Sequence, residues 1–127
     1  MILLAIVLML VLDILWISAN NRLYSKMVLK VQKSQLRAKK AWAVLAYLAM
    51  VVGLVFIVLP QAKSAKGSMV WRALRYGGLF GLVLYTVYNA TNLAIFSNYD
   101  VMTAAVDTLW GTFLFFIVTL FALWQTI

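Results

Sequence analysis

The sequence has no cysteine and no histidine. That excludes disulfides, thiol redox chemistry, zinc-finger sites and histidine-ligated haem. It has a single proline, Pro60. Charge is scarce too: 11% of the residues are charged, against roughly 25% in a soluble domain. Only three are acidic, Asp13, Asp100 and Asp107, so the 11 lysines and arginines leave a formal net charge of +8. What fills the chain is apolar, with 66% of 127 residues hydrophobic. This is the composition of an integral membrane protein, and the length suits one compact domain over residues 1–127.

Four apolar runs are long enough to span a bilayer, at about 2–19, 41–59, 76–96 and 103–124. Helices are the expected spans, because lipid satisfies no backbone polar groups and the alternation of a barrel strand is absent. The second run is expected to stop at Pro60. Met1 leads straight into apolar residues without a basic stretch, and Ile17-Ser18-Ala19 is a poor cleavage site, so the first run reads as a span. No lipidation motif is visible. Tyr24, Trp42 and Tyr99 fall where the chain meets one membrane interface, and Trp71, Tyr76 and Trp124 near the other. Gly77, Gly78 and Gly81 give the third run a small-residue face for close helix packing.

Between the first two spans, Arg22, Lys26, Lys30, Lys33, Arg37 and Lys40 are spaced 4, 4, 3, 4 and 3. At about 100° per residue they share one helical stripe, with Leu23, Met27, Val31 and Ala38 beside it. An amphipathic basic helix after the first span is expected, its stripe against lipid headgroups. Anionic lipid is the simpler partner for this charge, since the bases are confined to two loops and no nucleic-acid module is present. With Lys39, one side of the membrane carries seven bases, against four on the other (Lys63, Lys66, Arg72 and Arg75). The positive-inside rule then puts Arg22–Lys40 in the cytosol and both termini outside it.

Two short stretches, LDILW (Leu12–Trp16) and VDTLW (Val106–Trp110), each set an aspartate three residues before a tryptophan in an apolar run. Asp13 lies near the end of the first span, Asp107 near the start of the fourth, and Asn89 and Asn92 near the end of the third. All four reach the same side of the membrane. An aspartate at the centre of a span costs about 2.5–3.5 kcal/mol on insertion scales, so such groups turn inward and find partners. Asp13, Asn89, Asn92 and Asp107 are therefore expected to form one intramembrane polar cluster. Its candidate partners are Trp16, Thr86, Thr91, Thr108, Trp110 and Thr112. The cluster serves either as a hydrogen-bonded staple or as a site for a cation, proton or polar ligand.

The run YTVYNATNLAIF (Tyr85–Phe96) followed by VDTLWGT (Val106–Thr112) resembles the signature of the domain-of-unknown-function 2177 family. LDILW, the Tyr24 region and Leu59-Pro60 match as well, so the resemblance covers nearly the whole chain. These are small predicted membrane proteins with bacterial and giant-virus members. The resemblance implies a four-helix membrane architecture and carries no activity with it. The family usually has an aspartate where this chain has Asn89. If a third acid serves metal binding or proton relay there, this chain lacks it.

The expectation is an all-α, four-span, multi-pass membrane protein with no catalytic site, no metal and no cofactor. Its first functional reading is a structural or accessory component of a membrane or membrane assembly, alone, as a homo-oligomer or as a subunit. A small transporter or channel using the polar cluster is the alternative. An enzyme acting on lipid comes third, because two aspartates alone specify no reaction.

Overall fold

The computed structural model describes residues 2–36 and 39–126. Among them the ordered elements are all helical. We number them α1 (Ile2–Ala19), α2 (Asn21–Gln32), α3 (Lys40–Ser64), α4 (Met69–Ile95) and α5 (Val101–Trp124). Four of these, α1, α3, α4 and α5, are long and apolar enough to cross a membrane.

The last of them, α5, is the hub. Its buried residues include Ala104, Gly111, Leu114, Phe115, Val118 and Ala122, a face repeating every three or four residues. Ala5 and Met9 of α1 and Leu54, Val58 and Leu59 of α3 join it in one core. Outside that core the helices present large apolar side chains outward, with Leu3, Phe56 and Leu109 each more than two-thirds exposed. A surface this apolar suits lipid rather than water.

The α4–α5 contact depends on absent side chains. A Cβ on Gly81 would strike the Gly111 carbonyl, and one on Gly111 would strike the Tyr85 ring. The small face foreseen on the third span thus packs within the chain, against α5.

Three boundaries differ from the sequence reading. Helix α3 continues through Pro60 to Ser64. It does so because a π-helical stretch, Gly53–Val58, comes just before, and the Leu59 N–H donates to the Leu54 carbonyl five residues back. The wider turn shifts the carbonyls that a proline ring would otherwise strike. Helix α4 starts at Met69 rather than near Tyr76, because Ser68 caps it by accepting the Trp71 N–H at 3.2 Å. The Arg72 Nε then donates to the Ala62 carbonyl at 2.9 Å and ties the end of α3 to the start of α4.

The basic segment is the third difference. Its helix ends at Gln32, and Lys33 takes a left-handed conformation with φ 59°. The Gln32 amide donates to the carbonyls of Ser34 and Gln35 at 3.3 and 3.0 Å, which holds the chain in that turn. Only Arg22, Lys26 and Lys30 therefore share a helix; Lys33 caps it, and Lys40 opens α3. Arg37, also assigned to the stripe, lies outside the described residues.

Candidate functional site

Three helices deliver polar groups to one depth. Asp13 lies six residues before the end of α1, Asn89 six before the end of α4, and Asp107 six after the start of α5. At 1.5 Å per residue each is about 9 Å inside its helix end. Their directions follow from the packing faces. Asp13 continues the Ala5, Met9 stripe at four-residue spacing, so it is buried with 5% exposure. Asn89 continues Gly77, Gly81 and Tyr85 at the same spacing and is 2% exposed. Both therefore face α5, and α5 supplies Asp107.

Each carboxylate oxygen has a neutral donor. Asp13 accepts the Tyr47 hydroxyl at 2.7 Å and the Trp110 indole N–H at 2.9 Å. Asp107 accepts the Tyr24 hydroxyl at 2.7 Å and the Asn89 amide at 2.8 Å. The Asn89 amide also lies 3.1 Å from the Thr108 hydroxyl. Its carbonyl accepts the Tyr99 hydroxyl at 3.0 Å, and that hydroxyl accepts the Asn92 amide at 3.3 Å.

The two acids are linked through tryptophan. Trp16 donates its indole N–H to the Tyr24 hydroxyl at 2.8 Å, and its ring stacks on Trp110 at 4.5 Å and 4°. A continuous chain of contacts thus runs from Tyr47 to Asn92 and touches all five helices and the α4–α5 turn. It explains the repeated motif: in LDILW and VDTLW the aspartate binds a tyrosine from another helix, while the two tryptophans lie face to face.

Of the residues picked from sequence, Asp13, Trp16, Asn89, Asn92, Asp107, Thr108 and Trp110 enter this network. Thr86 is exposed and lies off it, and the Thr112 hydroxyl donates to the Thr108 carbonyl within its own helix. The tyrosines are what the sequence reading missed. Tyr24 and Tyr99 read as interfacial anchors, and Tyr47 was not singled out. A phenol is the natural neutral donor to a buried carboxylate, so an acid among several tyrosines is the signal to look for. At the rim, burial pushes the Tyr99 hydroxyl above its ordinary pKa. Asp100, which caps α5, is held below its ordinary value by the hydroxyl and N–H of Thr103.

Beside the network is a cavity of about 580 Å³. Asp13 and Asp107 both line it, among apolar residues of α1, α2, α3 and α4. It exists because the Lys40–Val52 half of α3 buries no residue against the bundle. Tyr47 reaches back to Asp13 across that gap. Ala46, Ala49, Leu84 and Tyr88 of the lining are exposed, so the cavity is open sideways, between α3 and α4. Asn89 and Asn92 do not line it. On the far side of the acids the bundle is closed by Met9, Leu54, Leu114 and Phe115, each with no exposure.

Four apolar helices around such a layer define a multi-pass membrane protein. The chain belongs to the family described as predicted membrane protein DUF2177, whose family model matches residues 1–124. No curated protein and no solved structure matches it.

Proposed function

We propose that this protein is a non-enzymatic, intramembrane binding protein, an accessory component that holds one membrane-resident amphiphile. The cavity, lined by the buried Asp13 and the half-buried Asp107 and open toward lipid, carries this reading. Its volume falls in the range of about 300–1,000 Å³ common for small-molecule sites. The sealed core beneath it favours binding over conduction, since a single copy offers no path to the other face. Every carboxylate oxygen already holds a neutral hydrogen bond, an arrangement that favours a fixed wall over an acid–base catalyst. The exposed bases of α2, Arg22, Lys26 and Lys30, are placed to meet anionic headgroups near the same level.

Native mass spectrometry of the protein released from its membrane tests this. The wild type should keep one small-molecule adduct per chain, and Ala49→Phe, which fills the cavity from α3, should lose it. An adduct that survives Ala49→Phe, or no adduct on the wild type, would count against the binding reading.

A second reading stands beside it: the network is a clamp that holds α1, α2 and α3 to the α4–α5 pair. The full use of all four carboxylate oxygens favours it. The two readings are compatible, because the clamp fixes the wall of the cavity.

A further inference from the structure

We propose that the amphiphile held in the cavity is a lipophilic cation with a quaternary ammonium head and a single alkyl tail. This rests on the cavity being a binding site, and four observations then select the class.

Charge is the first. The lining contains both intramembrane acids, and among the described residues no lysine or arginine lines it or pairs with either. Neutral donors orient the carboxylates but cancel no charge. A cation completes the site; a phosphate or fatty-acid head would be repelled by it.

The second is the state of the acceptors. Each of the four carboxylate oxygens already accepts a hydrogen bond. A quaternary ammonium donates none and needs only proximity to the charge. Third, Tyr24, Tyr85, Tyr88 and Tyr99 line the same space. Aromatic rings around a cation are the known solution for quaternary ammonium. The Tyr85 ring is fixed there by its close fit over Gly111. Its hydroxyl has no hydrogen-bond partner among the described residues, so it takes no part in orienting the carboxylates.

The tail is the fourth. Ile17, Met27, Val28, Met50, Phe80 and Leu84 make the rest of the wall apolar. The opening faces lipid, and the nearby bases Arg22, Lys26 and Lys30 disfavour approach of a cation straight from water. The ligand therefore arrives sideways, head at the level of the acids and tail along α3 and α4.

The test is tryptophan fluorescence titration in zwitterionic nanodiscs, with decyltrimethylammonium as the probe and decanol as its uncharged counterpart. Trp16 and Trp110 report from beside the acids. The wild type should bind the cation saturably and at least tenfold more tightly than the alcohol. Asp107→Asn, which keeps an acceptor for Tyr24, should remove most of that tenfold preference while leaving decanol unchanged. Ala49→Phe should abolish binding of both probes. Helix content by circular dichroism and elution as one species establish that each variant is folded; should Asp107→Asn fail this, Asp13→Asn takes its place. Equal binding of cation and alcohol, both blocked by Ala49→Phe, would overturn the cation assignment and leave the binding cavity standing. Binding of both that ignores Ala49→Phe would overturn the cavity reading itself. Arg37→Gln should leave the cation affinity unchanged. A tenfold gain in that variant would identify Arg37 as the counter-charge and overturn the proposal.

Discussion

Asp107 ties three other helices to α5: α2 through Tyr24, α4 through Asn89, and α1 through the Tyr24–Trp16 bond. Asp107→Leu should destabilise the fold by about 1–3 kcal/mol, because it leaves the Tyr24 hydroxyl and the Asn89 amide without their acceptor. Asp107→Asn should lose much less, since its carbonyl still accepts. Thermal unfolding in detergent, followed by circular dichroism, separates the two. Equal losses would mean that the charge, and not the hydrogen bonds, holds the network. The same scale shows what sequence could reveal. The two acids and Asn89 were legible because an apolar run makes any polar residue conspicuous. The tyrosines were not, because a tyrosine near a helix end fits both an interface anchor and a hydrogen-bond donor. Only the tertiary contact decides between them.

The elements succeed or fail by their ends and contacts. The start of α5 depends on the ionised Asp100 carboxylate, which accepts the Thr103 N–H and hydroxyl. Its pKa is lowered on folding, so its contribution is present above the ordinary carboxylate value and is lost as pH falls through the lower folded value. Protection of the Thr103 amide, taken relative to its intrinsic exchange rate, should therefore fall in strong acid, and in Asp100→Ala it should already be low at neutral pH. Unchanged exchange would remove the cap from the account. At the α4–α5 contact, Gly81→Leu should separate the helices and cost more than about 3 kcal/mol, since the obstacle is the Gly111 backbone and not a side chain that can turn aside. A stability within about 0.5 kcal/mol of wild type would show that the helices do not approach this closely. Hydropathy made the spans readable, but their ends were set by details it does not see. The π-helical turn carries α3 past Pro60, and the left-handed Lys33 cuts short a basic stripe that spacing alone extends to Lys40.

Across the whole molecule the two intramembrane acids and their hydrogen-bond partners lie toward one side. The network, the cavity and the seven-base segment all belong to the side reached by the ends of α1 and α4 and the start of α5. That the chain is a four-span bundle followed from composition alone; that its loosest contact would open a cavity beside its acids did not. The loose half of α3 looks in sequence like any other apolar run. The seven-to-four distribution of bases predicts that this side faces the cytosol. The chain has no cysteine, so a cysteine placed at Ser34 reports directly: an impermeant thiol reagent should leave it unlabelled in intact cells and label it after lysis. Labelling before lysis would invert the orientation.

In the proposed complex Asp13 and Asp107 share the wall of one cavity, occupied by a membrane amphiphile. A density map of the wild type in nanodiscs made from its own membrane tests it most directly. One elongated feature is expected between the Lys40–Val52 half of α3 and Leu84 of α4, ending beside the two carboxylates. A map with α3 closed onto α4, or with the two acids facing lipid apart from each other, would contradict it.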